Sequence, residues 1–265
     1  MGKSNQSTQE INSQAQNPLG TAPVGGLIAK FAIPAIISML VSAMYNIVDQ
    51  IFIGQGVGML GNAATNVAFP VTTIATALAL LLGIGGASNY NLEMGAGQEK
   101  KASGIAGTAL SSLVISGLIL AVIALVFLKP LLTLFGATTD VMPYAVAYTG
   151  ITALGLPFYI LSVGGNHVVR ADRSPTYSMT CIMIGAIINT ILDPVFIFVF
   201  GWGIKGAAWA TVIGQVVSGV LVIVYFWKFR NMYLTGAMLK PKMPYLKAII
   251  SLGLASVSYT HLTLP

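Results

Sequence analysis

Two polar residues, Asn189 and Asp193, lie in an apolar run from about Ser178 to Phe200 that is long enough to cross a bilayer as a helix. They are four residues apart, so both side chains point to one helix face. An ionisable side chain is costly inside a membrane and usually faces a cavity with a function. Pro194 follows at once, removes a backbone donor and tends to kink the helix. Together these residues could bind a small cation or hold a proton, although a turn starting at Asp193-Pro194 is the alternative.

The composition indicates an all-α polytopic membrane protein. Hydrophobic residues make up 55% of the chain and charged residues 8%, and the mean hydropathy is +0.83. A soluble domain carries far more charge. The net charge of +6 does not suggest nucleic acid as a partner, because the basic residues fall in predicted membrane loops. The one cysteine, Cys181, excludes an internal disulfide and a cysteine metal cluster.

Six apolar spans follow one another, and a seventh begins near residue 246. A polar tail precedes them, without the apolar segment of a signal peptide, and we predict that it is disordered. After residue 257 polar residues break the apolar run, so we expect the helix not to continue. We interpret the last eight residues, 258–265, as a non-native tail of a truncated gene. The spans are 27–53, 64–90, 103–128, 142–165, 176–200 and 204–227. The predicted regions are the tail (1–24), the six-helix lobe (25–230), a basic linker (231–245), the start of the seventh helix (246–257) and the non-native tail (258–265).

The basic residues predict the orientation, because cytoplasmic loops carry an excess of Lys and Arg. Eleven of them fall on the side of the N-terminus and two, Lys129 and Lys205, on the other. The N-terminus is therefore predicted to be cytoplasmic, in a multi-pass protein of the cytoplasmic (inner) membrane. We interpret Arg170 and Arg173 as topology anchors, His167 as interfacial, and the loop acids Glu93, Glu99, Asp140 and Asp172 as solvated.

Two acids remain within the spans, and their depths match. A helix rises about 1.5 Å per residue, which places Asp49 roughly 6 Å and Asp193 roughly 10 Å below the outer ends of their helices. The span that carries Thr211 begins at the same outer side, so Thr211 is also roughly 10 Å below the outer end of its helix. Asn189 is one turn deeper. Four oxygen-bearing side chains from three helices are thus predicted at similar levels, where they could meet.

Three neighbouring polar residues are candidate pocket-lining residues. Asn46 shares the helix face of Asp49, Gln215 shares that of Thr211, and Tyr45 lies beside Asn46. Interhelical hydrogen bonding is the alternative for each of them. The chain contains no H-E-x-x-H, no G-x-S-x-G and no phosphate-binding loop, which argues against an enzyme and against a cofactor.

Several stretches resemble the multidrug and toxic compound extrusion (MATE) transporters, in the prokaryotic branch related to DNA-damage-inducible proteins. Ile33-Pro34 and Tyr45-Asn-Ile-Val-Asp49-Gln-Ile-Phe-Ile-Gly54 are similar to the first helix of that family. Gly155-Leu-Pro157 resembles the fourth. Asn189-x-x-x-Asp193-Pro-x-Phe-Ile-Phe198 and Gly203-x-x-Gly206-Ala-Ala-x-Ala-Thr211 resemble the fifth and sixth. The resemblance covers about residues 26–257.

This resemblance implies a twelve-helix transporter of the MOP superfamily with two six-helix lobes, of which this chain holds the N-terminal lobe and the start of a seventh helix. It implies export of drugs or other organic, often cationic, compounds against entry of H⁺ or Na⁺. Carried over residue by residue, the cation site, including any Na⁺ site, is Asp49, Asn189, Asp193 and Thr211. The missing C-terminal lobe would be needed for the full transport path.

The expected mechanism depends on the two acids. A carboxyl in a low-dielectric cavity can be protonated near neutral pH, and the ionised acids could instead hold Na⁺. Either event would straighten or bend the first helix, with Pro34 as a hinge. One alternative is a lipid-linked saccharide flippase of the same superfamily, although the spans lack the central Arg and Lys expected for an anionic lipid. The other is a non-transporting membrane component, such as a receptor or an assembly subunit.

Overall fold

The computed structural model describes residues 24–229, 232 and 234–262, and it is built of helices. Six of them are long and apolar enough to cross a membrane, as predicted. The expected disorder of the N-terminal tail falls on residues 1–23, outside the described residues. The α-helices are α1 (Val24–Gly56), α2 (Met59–Gly95), α3 (Glu99–Val126), α4 (Leu128–Leu134), α5 (Met142–Ala171), α6 (Pro175–Pro194), α7 (Ile204–Val224) and α8 (Met243–Leu262).

Short connections join the long helices, so consecutive membrane helices run in opposite directions. Two residues separate α1 from α2, and three residues separate α2 from α3 and α5 from α6. A single turn of 3₁₀-helix, Gly236–Leu239, precedes α8. This alternation brings Lys100, Lys101, Arg170 and Lys228 to one end of the bundle, which we call the basic end.

Helix α5 lies at the centre of the bundle and packs against α2, α3 and α7. The core between these helices is rich in alanine, including Ala79, Ala109 and Ala153, each of which is almost fully buried. Small residues let helix backbones approach closely in a membrane, where packing rather than the hydrophobic effect holds helices together. Helix α1 lies at the edge of this core and packs mainly against α6.

Helix α6 does not end in a turn at Asp193-Pro194. It continues as a π-helix over Val195–Val199, so the alternative interpretation of a turn is wrong. Pro194 cannot donate to the carbonyl four residues before it, and the wider π-helical turn accommodates this missing bond. The chain then turns back, and the Trp202 amide donates to the Phe196 carbonyl at 3.0 Å.

Two expectations about polar segments are wrong. Helix α8 begins at Met243 and continues to Leu262, although we expected the helix to stop at residue 257. Ser, Thr and Tyr lower helix propensity only slightly, so a helix that has already formed propagates through them. Asp172 is not solvated: it is 1% exposed and accepts hydrogen bonds from the Tyr90 and Tyr225 hydroxyls at 3.1 and 2.7 Å.

Candidate cation site

Helix α1 brings Asp49 into the bundle near the end opposite the basic end. Its side chain is 6% exposed, and one carboxylate oxygen, Oδ2, accepts a hydrogen bond from the Gln50 amide at 3.3 Å. Gln50 is held in turn by the Thr65 hydroxyl of α2, which donates to Gln50 Oε1 at 3.0 Å. The other oxygen, Asp49 Oδ1, is buried and has no hydrogen-bond partner among the described residues.

Helix α6 presents Asn189 and Asp193 on its inner face, as their spacing predicts. Asp193 is fully buried and Asn189 is 3% exposed. With the amide in one orientation, Asn189 Nδ2 lies 3.4 Å from Asp193 Oδ1 and 3.5 Å from Thr211 Oγ1. With its oxygen and nitrogen exchanged, the amide donates to Asp193 Oδ2 at 3.3 Å and accepts from the Thr211 backbone N–H at 3.3 Å. In the second orientation Asn189 donates no hydrogen bond to the Thr211 hydroxyl.

Helix α7 supplies Thr211, and two glycines allow α7 to approach α6 closely. A Cβ atom on Gly214 would lie 2.9 Å from the Gly185 carbonyl oxygen and 3.2 Å from Asn189 Cβ. Both distances are shorter than ordinary contacts, so a side chain at this position would force the helices apart. The pair Gly185 and Gly214 therefore fixes the distance between Asn189 and Thr211.

The two acids meet between α1 and α6. The Asp49 and Asp193 carboxyls lie within hydrogen-bond reach of each other. Among the described residues, no Lys, Arg or His forms an ion pair with either acid. Two adjacent carboxylates in a poorly solvated site repel, so a proton shared between them or a bound cation stabilises the pair. The unpartnered Asp49 Oδ1 is a free oxygen ligand for such a cation.

Tyr148 of α5 also faces this site, and the sequence analysis did not identify it. Tyr148 lines the second cavity together with Asp49 and Thr211. The helical rise could have indicated it, because Tyr148 is six residues from the start of α5 at Met142. That separation corresponds to roughly 9 Å, the depth of Asp193 and Thr211.

Two cavities adjoin the cation site. The first, of about 460 Å³, extends from Arg170 at the basic end to Asn189 and Thr211. The second, of about 370 Å³, lies between α1, α2, α5 and α7 and contains Asp49 and Tyr148. The candidate pocket residues Tyr45, Asn46 and Gln215 line both cavities, so the structure places each of them beside the cation site.

Pro34, the candidate hinge, lies inside an uninterrupted α1. The Ser38 hydroxyl donates to the Pro34 carbonyl at 2.7 Å. Asn46 makes a similar bond within the helix, to the Ser42 carbonyl at 2.7 Å. Hydroxyl bonds of this kind compete with backbone bonds and often bend helices, so the Pro34–Ser38 turn remains the candidate position for a bend in α1.

The candidate ligands are all oxygens, which would suit a hard cation. Asp49 and Asp193 carry carboxylate oxygens, Asn189 carries a carbonyl oxygen that accepts from the Thr211 N–H in the reversed orientation, and Thr211 carries a hydroxyl. Oxygen sets of this kind bind hard metal cations, whereas a proton needs a carboxylate alone. No cluster of three or more His, Cys, Asp or Glu side chains is found in the part of the chain that the structure describes.

Comparisons with known proteins show the family to which the chain belongs. The MatE family model matches residues 34–195. The multidrug export protein MepA of Staphylococcus aureus is 28% identical over 234 residues, which are 88% of this chain and 52% of MepA. A FAD transporter of Shewanella oneidensis is 32% identical over 215 residues, 77% of this chain and 47% of that protein. This chain therefore spans about half the length of the curated relatives it matches.

A solved transporter structure also matches this chain over about half of its own length. A crystal structure of MATE in the bent conformation is 29% identical, with a TM-score of 0.80 over 87% of this chain and 52% of that chain. The six helices thus correspond to the N-terminal lobe of such transporters, which are not enzymes and use no cofactor in general. Because the family model matches more than half of the residues, the chain belongs to the MatE family of multi-pass membrane transporters.

Proposed function

We propose that this chain is the N-terminal half of an exporter of drugs or other organic compounds, driven by entry of H⁺ or Na⁺ at Asp49, Asn189, Asp193 and Thr211. The observation that carries this proposal is the meeting of two buried acids from α1 and α6 with no basic partner among the described residues. The experiment that tests it is dye efflux from vesicles with pH and sodium gradients imposed separately, described in the Discussion.

Electrostatics supports a role in coupling. Two unit charges about 4 Å apart repel by on the order of 4 kcal/mol at the effective dielectric constant of about 20 that suits proteins. A single proton or Na⁺ between the Asp49 and Asp193 carboxyls removes that repulsion. The pair therefore has a much higher energy when both carboxylates are ionised and no cation is bound than when a proton or Na⁺ lies between them. A cation that binds one conformation of α1 better than another shifts the population toward that conformation.

Helix α1 would transmit the effect of cation binding to the two cavities. It packs against α6 through the acid pair but contacts α2 and α7 only weakly. Its Pro34–Ser38 turn supplies a point where the helix can bend. We infer that binding at Asp49 moves the part of α1 that carries Tyr45 and Asn46, and so reshapes both cavities. Rocking of two lobes would then expose the substrate alternately to each side.

The orientation and location form part of the same proposal. The excess of Lys and Arg at the basic end supports a cytoplasmic location of that end and of the N-terminus. Export of drugs into the medium requires the cytoplasmic (inner) membrane as the location. One relative is a multidrug export protein and another is a FAD transporter, and both support a role in the transport of organic molecules.

Thr211→Ala should weaken sodium binding by about tenfold, which corresponds to about 1.4 kcal/mol. The change removes one neutral oxygen of the proposed ligand set and leaves both carboxylates. A proton needs only the carboxylates, so proton-driven efflux should stay close to the unmodified level. Sodium titration of the purified protein measures the affinity. The control is Thr152→Ala, which removes a hydroxyl that lines only the second cavity. Equal sodium affinity in Thr211→Ala and the unmodified protein would remove Thr211 from the site.

Tyr148→Phe should weaken sodium binding by about threefold to tenfold, the range of one net hydrogen bond. Tyr148 lines the same cavity as Asp49 and Thr211, and the change removes its hydroxyl from beside the proposed ligands. Tyr144→Phe, one turn earlier in α5 and outside both cavities, is the matched control. If the two variants lose the same affinity, the effect belongs to α5 in general and not to the Tyr148 hydroxyl.

A further inference from the structure

Arg170 is a cation in the last turn of α5 that faces the first cavity. Its Nε donates to the Ser178 hydroxyl of α6 at 3.0 Å. No carboxylate of the described residues forms an ion pair with it. Nearby, Asp172 accepts hydrogen bonds from two tyrosines. A guanidinium has five N–H donors in a planar fork, and the bond to Ser178 uses only one of them.

The lining of this cavity changes along its length. Arg170 and His167 lie at the basic end, and Asn189, Thr211 and Gln215 lie at the opposite end, next to the acid pair. From Ser178, the partner of Arg170, to Asn189 is eleven residues of α6, or roughly 16 Å. Between these ends the wall carries apolar side chains, with hydroxyls from α1, α5 and α7. The apolar residues are Met39, Leu80, Val163, Ile182 and Ala186, and the hydroxyls are those of Ser38, Ser42, Tyr45, Tyr159, Ser162 and Ser218.

We infer that Arg170 is a substrate-binding residue that holds a carboxylate or phosphate group of an amphiphilic organic substrate in this cavity. The inference rests on the proposed export function and names the substrate class: organic molecules with an anionic group at one end. Arg binds carboxylate and phosphate through two parallel N–H bonds, which few other side chains can do. The apolar wall accommodates the body of the substrate, and the volume of about 460 Å³ lies in the range of drug-sized pockets.

The position of Arg170 distinguishes this role from topology anchoring alone. Arg173, three residues later, lies in the α5–α6 connection and does not line the cavity. An anchor needs only a charge near the membrane surface, which Arg173 and the other basic residues already supply. Arg170 instead bonds to Ser178 of α6 and lines the cavity at its basic end. A charge in that position favours a ligand with the opposite charge.

The test compares two probes that differ in one group. A rhodamine with a free benzoate is a zwitterion near neutral pH, and its methyl ester has the same rings but no carboxylate. Fluorescence anisotropy of each dye is titrated with the purified chain in detergent or lipid nanodiscs. We expect at least tenfold tighter binding of the free acid. Arg170→Gln should abolish this preference, Arg170→Lys should restore part of it through its charge, and Arg173→Gln should retain it in full.

Each other outcome contradicts the inference. If Arg170→Gln keeps the preference, Arg170 does not hold the carboxylate. If the unmodified chain binds both dyes equally, or binds neither, the cavity is not a site for anionic substrates. Gel filtration and thermal unfolding show whether each variant is folded, and Arg170→Lys tests the charge without removing it. Sodium binding is titrated separately on the unmodified chain, so a loss of dye preference and a loss of cation binding can be told apart.

Discussion

Asp193→Asn is expected to abolish efflux driven by a pH or sodium gradient, with a loss of at least a hundredfold relative to the unmodified transporter. The substitution keeps the shape of the side chain but removes its charge and its titratable proton. An asparagine amide can neither share a proton with Asp49 nor balance the charge of Na⁺. Asp193 is fully buried, so its substitution leaves Asp49 without the neighbouring carboxylate on which the proposed cation binding depends.

The measurement is efflux of a fluorescent dye from energised vesicles that contain the transporter with both lobes, under separately imposed gradients of pH and sodium. Asp140→Asn removes an acid that is exposed in the connection before α5, and it should leave efflux unchanged. Membrane levels of each variant are measured on the same vesicles. Full retention of coupled efflux in Asp193→Asn would assign this residue to packing and remove it from the cation site.

Gly214→Ala should disrupt the site without changing any of its ligands. Its added Cβ would lie 2.9 Å from the Gly185 carbonyl oxygen, so α6 and α7 must separate. Overpacking of this kind costs about 1 to 3 kcal/mol. For a chain of this size that corresponds to a fall in the unfolding temperature of roughly 2 to 12 °C. Sodium affinity should also fall at least tenfold, because Asn189 moves away from Thr211.

Thermal unfolding in detergent, with and without sodium, measures both effects. Gly150→Ala is the matched control, because the nearest atom to its added Cβ, Leu128 Cδ2, would be 3.6 Å away, an ordinary contact. Gly150 also lies on a long membrane helix but outside both cavities. If Gly214→Ala unfolds at the same temperature as the unmodified protein and binds sodium with the same affinity, α6 and α7 can accommodate a methyl group at this position and the prediction is wrong.

The arrangement of the acids was predictable because a helix has a fixed rise. Asp49, Asp193 and Thr211 had matched depths in the sequence, and the structure brings them together across three helices. Tyr148 had the same depth, but tyrosine is common in membrane helices, so its type alone gave no signal. The position of Asp172 was not predictable, because its burial depends on Tyr90 and Tyr225, which come from distant parts of the chain.

The role of Arg170 could not be predicted for a different reason. Sequence position shows that a basic residue is near the membrane surface, and Arg170 and Arg173 are equivalent by that criterion. Which of the two faces a cavity depends on the rotation of α5 against α6. In the structure α5 is rotated so that Arg170 bonds to Ser178 and lines the cavity, whereas Arg173 does not line it. In the same way, the π-helical continuation after Pro194 depends on packing that no pattern of residues reveals.

Infrared spectroscopy of the purified chain tests the role of the acid pair most directly. A protonated carboxyl has a C=O absorption that is lost when the group ionises or binds Na⁺. Spectra of the unmodified chain are compared with those of a double variant, Asp49→Asn and Asp193→Asn, while pH or sodium is raised. We expect an absorption present only in the unmodified chain that disappears as the pH or the sodium concentration increases. Identical spectral changes in the two proteins would show that Asp49 and Asp193 bind neither cation.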